Sequence, residues 1–467
     1  MFNAKQSPQR PPGPPTPWFG LPLLADMRRD YLGFMRRTHE TFGDISYMRH
    51  GYEHVYDLFS PELMRDALVD NAEHLIRWER GIGIFAEAFG QSVLVTEGET
   101  WKRQRRMLTP VFSARHIADY ATLMTAAARR ALDDLAPRHE RSATINVDAM
   151  MTQLTMDVIM RVLFSSGVQT DALDASAATQ VLSERAIREM YWPFSVPAWL
   201  PWLGNKRKRN ALTTLDALVG RHIDQRRQAT LEDAETTDLL AILLEVRDEH
   251  DPAQGLSVTE IRDQCMVIFQ AGHETSAAAL AWWCRLVAER PDVLEKLQHE
   301  LAETLQGREP TAVDAPKLDF LQATLKEAMR LYPPIPALMS RRALRDVRIG
   351  DWEIPRGSML RMAPWIAHHD ARWFPDPEAF RPERFVASAE APPRGAWMPF
   401  GAGPRVCIGQ HFAMLEMTLI AAMLMQRYSV AVDPQDALRP DAVMNVTLRS
   451  KGGLRIRFTK RTWNNSH

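Results

Sequence analysis

The chain has 467 residues, of which 45% are hydrophobic and 25% are charged, and this composition excludes a disordered, collagen-like or rod-shaped protein. A chain of this length buries about three quarters of its surface, so it has room for a large core. The 57 Lys and Arg residues nearly balance the 58 Asp and Glu residues, and the net charge of −1 predicts no general attraction to nucleic acid or to an anionic membrane.

The N-terminal residues 1–20 contain six prolines and lack the apolar stretch of a signal peptide. Because proline fixes the backbone and removes a hydrogen-bond donor, they are predicted to form a stiff, extended arm ahead of a single domain over residues 21–467. No run in the sequence reaches the ~18 apolar residues that a membrane-spanning helix needs. We therefore expect a soluble, cytoplasmic protein with no integral membrane association.

The pattern of apolar residues predicts a mainly helical fold with a minor sheet. Residues 42–60 alternate in character, which indicates a β-hairpin around His50 and Gly51. A helical period dominates from about residue 61 to residue 330, and Pro333 ends the last helix of that region. The later predicted elements are short strands at 345–362, an ordered meander at 370–406, a helix at about 409–426 and weak strands at 443–460.

The three cysteines, Cys265, Cys284 and Cys407, match no zinc or CxxC spacing and are too few for a disulfide scaffold, so a reducing compartment is expected. Cys407 differs from the others because it lies between a turn rich in glycine and proline and a predicted helix. At the start of a helix, backbone N–H groups and the helix dipole favour a thiolate over a thiol. A thiolate is one of the axial ligands of haem iron.

Residues 400–409 read Phe-x-x-Gly-x-Arg-x-Cys-x-Gly, which resembles the haem-binding loop of the cytochrome P450 (haem-thiolate monooxygenase) family. The alternative for an isolated cysteine is a buried structural thiol in a turn, but the complete pattern disfavours it. The resemblance implies that Cys407 is the axial ligand of the iron of haem b. It also implies that Phe400, Arg405 and Gly409 contact the haem.

Two segments extend the resemblance. Glu327 and Arg330 match the ExxR pair of the family, and residues 380–385 match its PERF segment. By themselves, a glutamate and an arginine three residues apart on a helix indicate an ordinary surface ion pair worth ~0.5 kcal/mol. The resemblance implies instead that Arg384 joins Glu327 and Arg330 in a buried triad that holds the meander behind the haem.

Residues 271–276 (Ala-Gly-His-Glu-Thr-Ser) resemble the oxygen-binding motif of the same family. Gly272 removes a side chain, so a flat cofactor could approach the helix there. Thr275 is expected to bond back to a carbonyl one turn earlier and to open the helix locally, while Glu274 offers an ionisable proton relay. A metal-binding role for His273 is disfavoured because no second ligand lies at helical spacing.

Trp101 and Arg105 match the WxxxR pattern of the family and share a helix face because they are four residues apart. The resemblance implies that both hydrogen-bond a haem propionate, a contact that suits arginine. Arg341 occupies the position of another propionate partner. The motifs occur in the family order from residue 101 to residue 409, so the resemblance covers essentially the whole chain.

The resemblance implies a monooxygenase that inserts one atom of O₂ into an organic substrate, with electrons from NAD(P)H. With no flavin domain in the sequence, we expect a separate donor of the ferredoxin or flavodoxin type with its reductase. The basic residues Lys102, Arg103 and Arg106 are expected to dock an acidic donor. A second basic run, 206–209, is interpreted as a solvated loop or helix end and not as a nucleic-acid site.

Two other functions stay open at this point. A peroxide-driven member of the family is disfavoured by the Glu274–Thr275 pair, and a non-catalytic haem or ligand-binding protein predicts a haem spectrum without a product. By resemblance, the substrate pocket is expected at 78–94, 267–271, 335–339 and 446–448. These segments are mostly apolar, which predicts a small lipophilic substrate and no more.

Overall fold

The structure is a computed structural model that describes residues 10–135, 142–165, 169–190, 205–228, 238–251, 253–436 and 438–461, with only the backbone described for 169–173. The helices of these ranges are α1 (Leu21–Arg29), α2 (Tyr31–Phe42), α3 (Pro61–Arg65), α4 (Glu79–Phe89), α5 (Gly98–Leu108), α6 (Ala114–Leu135), α7 (Val147–Phe164), α8 (Gln169–Met190), α9 (Asn205–Gln228), α10 (Leu239–Glu245), α11 (Val258–Ala288), α12 (Pro291–Leu305), α13 (Asp319–Leu331), α14 (Pro364–His368) and α15 (Gln410–Arg427).

The strands of these described ranges are short and lie in four small sheets. They are β1 (Ile45–His50), β2 (Glu53–Leu58), β3 (Leu75–Arg77), β4 (Ser142–Asn146), β5 (Arg341–Ala343), β6 (Val347–Ile349), β7 (Trp352–Ile354), β8 (Met359–Met362), β9 (Tyr428–Val432), β10 (Ala442–Met444), β11 (Leu448–Ser450) and β12 (Arg455–Lys460). The largest sheet has the order β1-β2-β8-β5-β3, with β2 and β8 parallel and its other pairs antiparallel. The mainly α fold with a minor β part is therefore confirmed.

The hairpin predicted around His50 and Gly51 is formed by β1 and β2, with His50 opposite Glu53. The predicted C-terminal helix corresponds to α15, and the strands predicted at 345–362 correspond to β6, β7 and β8. The described part of the N-terminal arm packs along the hairpin, because the N–H of Tyr47 donates to the carbonyl of Pro12 at 3.0 Å. Residues Pro17–Gly20 form a 3₁₀ turn at the end of this arm.

Helix α11 runs through the core and positions the site. Its start is defined by a capping box, in which the Ser257 side chain accepts from the N–H of Glu260 and the Glu260 side chain accepts from the N–H of Ser257. Its C-terminal half is almost wholly buried and includes Trp282 and Trp283. The Trp283 indole donates to Thr324 Oγ1 on α13 at 2.8 Å, which ties the two helices together. No described helix is long and apolar enough to cross a membrane.

Candidate functional site

A cavity of about 530 Å³ lies between α11 and the loop that precedes α15. Each of the four segments predicted to form the substrate pocket contributes residues to its wall. Residues of α8, such as Leu182 and Ile187, also line the cavity, as do Leu24, Met27 and Tyr31 near the N-terminus. Every family motif found in the sequence except the PERF segment contributes to the cavity wall, although the ExxR segment does so only through Met329.

The loop before α15 holds Cys407 at the wall of this cavity. Gly401 and Gly403 both have a positive φ, and a Cβ at Gly403 would lie 1.9 Å from the carbonyl oxygen of Leu68. Only glycine fits that close approach, so the turn needs the residue that the motif supplies there. The N–H of Cys407 donates to the carbonyl of Phe400 at 2.9 Å and closes the loop.

The thiol of Cys407 is open to the cavity, while protein encloses it on its other sides. Burial raises the pKa of this thiol above its ordinary value, whereas a hydrogen bond from the backbone of Gly409 and the charge of Arg105 lower it. Burial of the thiol therefore opposes the thiolate form that the start of the helix was expected to favour. Helix α15 begins only at Gln410, so one backbone amide reaches the sulfur and desolvation outweighs its effect.

The other two cysteines are inert by comparison. Cys265 and Cys284 both lie on α11 and are fully buried, and burial raises the pKa of each thiol far above its ordinary value. Neither lines the cavity. Cys407 is therefore the thiol that can reach a ligand in the cavity.

Five arginines line the cavity, and all of them except Arg361 form a group on the side of Cys407. Arg105, Arg341 and Arg405 were expected there from the sequence, whereas Arg77 on β3 carries no motif and was missed. Burial, together with the nearby charges of Arg405 and Arg341, lowers the pKa of Arg77 to about 9. Burial likewise lowers the pKa of Arg341 to about 10. The guanidinium of Arg105 has no hydrogen-bond acceptor among the described residues.

Arg405 connects the cysteine loop to α5. Its guanidinium lies 3.8 Å from the centre of the Trp101 ring, pairs with the carboxylate of Glu97 and donates to the carbonyl of Thr96 at 3.0 Å. Burial lowers the pKa of Arg405 to about 10, and Glu97 opposes this shift. Glu97 is the carboxylate that faces this group of arginines, so positive charge exceeds negative charge in this part of the cavity. Such a wall fits an anionic group of a flat apolar ligand.

Helix α11 forms the opposite wall. Thr275 Oγ1 donates to the carbonyl of Ala271 at 2.6 Å, as the sequence predicted. However, α11 continues as one helix through this bond, so the expected local opening is absent. A Cβ on Gly272 would lie 2.8 Å from Ile159 Cδ1 on α7. The missing side chain therefore permits close packing between α11 and α7, and not only the approach of a cofactor.

Glu274 is buried and lines the cavity. Its carboxylate accepts hydrogen bonds from three side chains, Ser183 on α8, Gln270 on α11 and Thr447 between β10 and β11. Its neighbour His273 is buried and its Nδ1 faces the carbonyl of Phe269 at 2.7 Å, so it donates there as a neutral ring. Burial lowers the pKa of His273 and so favours the neutral ring. No group of potential metal ligands among the described residues includes His273.

The structure brings Glu327, Arg330 and Arg384 together behind the cysteine loop. Arg330 Nε lies 2.8 Å from Glu327 Oε2, and neither side chain is exposed to solvent. Arg384 Nε lies 3.4 Å from Glu327 Oε1. Arg330 also donates to the carbonyls of His368 at 2.6 Å and Pro377 at 2.8 Å, which attaches the meander to α13.

The basic cluster at 102, 103 and 106 is neutralised within the fold. Its members pair with the carboxylates of Glu99, Glu260 and Asp248, and the Arg106–Asp248 pair is bidentate, at 3.0 and 2.8 Å. The three residues therefore form no uncompensated positive surface. Because each of these charges already has a carboxylate partner, the charge argument for docking an acidic donor at this cluster is weakened.

Sequence comparison agrees with the geometry of the site. A sequence model described as "Cytochrome P450" matches residues 11–455. The chain is 33% identical to a cyclooctat-9-en-7-ol 5-monooxygenase of Streptomyces melanosporofaciens over 85% of this chain and 84% of that protein. It is 31% identical to a cyclooctatin synthase of the same organism, covering 92% of both chains. It is also 31% identical to a cytokinin hydroxylase of Arabidopsis thaliana over 79% of this chain and 71% of the relative.

Proposed function

The chain belongs to the cytochrome P450 family and is a monooxygenase with a haem-thiolate cofactor, and from this premise we propose that Cys407 is the axial ligand of haem b. The observation that carries the proposal is the thiol of Cys407, which is open to a cavity bounded by α11 on one side and by four arginines on another. Cys265 and Cys284 on α11 are fully buried and therefore offer no alternative ligand. When bound, haem supplies the chemistry that divides O₂ between the substrate and water.

The arginines fit the two propionates that haem b carries. Arg105 has no acceptor among the described residues, and Arg341 and Arg77 are buried beside it with a single carboxylate, Glu97, for compensation. An arginine fork binds a carboxylate well, and a buried cation needs a counter-ion. Trp101 and Arg405 support this wall through their mutual stacking. Phe400 and Gly409 bound the cavity next to the sulfur.

On the α11 wall, the hydroxyl of Thr275 donates its hydrogen bond to the Ala271 carbonyl. Its oxygen is therefore left as a hydrogen-bond acceptor, suited to holding a water or a protonated ligand in place. Glu274 is the neighbouring ionisable group and is proposed to take up and release the protons that the reaction consumes. The presence of both groups favours reductive use of O₂ over the peroxide-driven alternative.

The substrate is proposed to be a lipophilic molecule, because the wall contributed by α4, α8 and residues 335–339 is largely apolar. The relative named for cyclooctat-9-en-7-ol suggests that alcohol as a first ligand to titrate against the haem spectrum. Electrons are proposed to come from NAD(P)H through a ferredoxin or a flavodoxin and its reductase. The cytoplasmic location and the division into an arm (1–20) and a haem domain (21–467) stay predictions of the sequence.

The test is the spectrum of the reduced, CO-treated protein. Wild-type protein is expected to show the strongly red-shifted Soret band of a thiolate haem. Cys407→Ala should lose this band, whereas Cys265→Ala and Cys284→Ala, the matched controls, should keep it. A CO spectrum of the histidine type in folded wild-type protein would refute the assignment. A haem spectrum without product formation, in the presence of NADPH and a ferredoxin–reductase pair, would favour a binding protein.

A further inference from the structure

The carboxylate of Glu274 is held at both oxygen atoms. Oε2 accepts from Ser183 Oγ at 2.9 Å and from Gln270 Nε2 at 2.9 Å, while Oε1 accepts from Thr447 Oγ1 at 3.0 Å. The first two donors belong to helices, and the third belongs to the turn between β10 and β11. Thr447 is therefore the single side-chain donor to Oε1 among the residues that the structure describes.

Arg449 gives the hydrogen bond of Thr447 a fixed direction. Arg449 Nε donates to Thr447 Oγ1 at 3.2 Å. A guanidinium can only donate, so the threonine oxygen must accept from it and the hydroxyl proton must point to Glu274. Arg449 also donates from Nη2 to the backbone carbonyl of Glu274 at 3.3 Å, which places the cation beside the acid that Thr447 contacts.

The hydroxyl of Thr447 is not needed to attach the turn to the core. The backbone of Leu448 already accepts from the Trp282 indole at 3.1 Å and donates to the carbonyl of Pro334 at 2.9 Å. Thr447 is almost fully buried, with 1% of its surface exposed, and its side chain lines the cavity. A buried hydroxyl needs an acceptor for its proton, and the acceptor of Thr447 is Glu274.

We propose that Thr447 is a positioning residue for the Glu274 carboxylate, with Arg449 setting the direction of its hydrogen bond. The proposal rests on the proposed function, in which Glu274 exchanges the protons of the reaction. Without the hydroxyl, Oε1 loses its side-chain donor, and the carboxylate is then held only at Oε2, by Ser183 and Gln270. Proton supply then falls behind electron supply, and O₂ that has taken two electrons and two protons leaves as H₂O₂.

The experiment compares Thr447→Val, which keeps the shape and removes the hydroxyl, with Thr447→Ser, which keeps the hydroxyl. Glu274→Gln is the reference variant because it removes the acid itself. The first measurement is the infrared stretching frequency of CO bound to the reduced holoprotein, which senses polar groups on the α11 wall. The second is the H₂O₂ released per NADPH consumed with a surrogate ferredoxin and its reductase. Melting temperatures establish that the variants are folded.

We expect Thr447→Val to move the CO frequency in the same direction as Glu274→Gln does. Thr447→Ser should match the wild type in both measurements. Thr447→Val should release at least twice as much H₂O₂ per NADPH as Thr447→Ser. If Glu274→Gln changes both quantities and Thr447→Val changes neither, Thr447 does not position the acid. If Glu274→Gln also changes neither, the acid has no such role and the inference falls with it. Wild-type protein without a thiolate CO band would instead refute the proposed function itself.

Discussion

Replacing Arg330 by alanine should destabilise the protein far more than the loss of an ordinary ion pair would. Both Arg330 and Glu327 have 0% side-chain exposure, and their two parallel hydrogen bonds measure 2.8 and 2.9 Å. The substitution leaves the Glu327 carboxylate with the backbone N–H of Arg381 at 2.9 Å and the ion-pair contact of Arg384 at 3.4 Å. It also removes the donor to the carbonyls of His368 at the end of α14 and of two meander residues, Pro377 and Ala379.

Breaking a buried pair by removing one partner costs about 3–5 kcal/mol, because the other charge stays buried without compensation. The matched control is Lys296→Ala, which breaks the pair of Lys296 with Glu383, the residue next to Arg384 in the PERF segment. Its side chains are 56% and 49% exposed, so solvent screens the pair and its loss should cost at most about 1 kcal/mol. Arg330→Lys, which keeps the charge but not the fork, should fall between the two.

The assay is the melting temperature of purified protein, together with the haem bound per polypeptide. Arg330→Ala and Glu327→Ala should melt well below Lys296→Ala and should retain little haem, since the meander that leads into the Cys407 loop loses its attachment to α13. If Arg330→Ala matched Lys296→Ala in both measurements, the pair would contribute no more than a surface contact, and the reasoning from burial would be refuted.

Three further predictions concern the cavity wall and the surface. Thr275→Ala should bind haem and release more H₂O₂ per NADPH, and unchanged coupling would exclude Thr275 from proton delivery. Arg103→Glu should leave the rate of reduction by the donor unchanged but lower the melting temperature, because residue 103 faces Glu260. If the variant is reduced more slowly and the rate depends on salt, the cluster is a docking site for the donor. Burial raises the pKa of the Glu416 carboxyl from 4.5 to about 8, although Ser276 donates to it at 2.6 Å. The folded protein thus holds a proton that the unfolded chain releases, so stability falls as pH rises from about 4.5 to 8. The melting temperature of Glu416→Gln should depend less on pH over that interval than that of the wild type. An equal dependence on pH in the two proteins would contradict this.

Sequence patterns were most informative where a feature depends on neighbours along the chain. The hairpin of β1 and β2, the end of α13 before Pro333 and the start of α15 after the Cys407 turn were all predictable from local spacing and backbone preference. The turn before Cys407 was predicted most securely, because the backbone at Gly403 approaches its neighbour so closely that few residues fit there. The candidate pocket segments were also placed on the cavity wall.

The sequence by itself determined the class of fold, the family and the thiol that faces the cavity. Tertiary structure decided which charges meet: Arg77 joins the other arginines, the basic residues of α5 find carboxylates on α11 and before it, and Glu274 is held by Ser183 and Thr447. Residue spacing records contacts within one helix or turn. The partners of Glu274 on α8 and at the β10–β11 turn are 91 and 173 residues away along the chain, and packing alone brings them together. Buried charges and hydroxyls take whichever partner that packing supplies, because leaving them unpaired is costly.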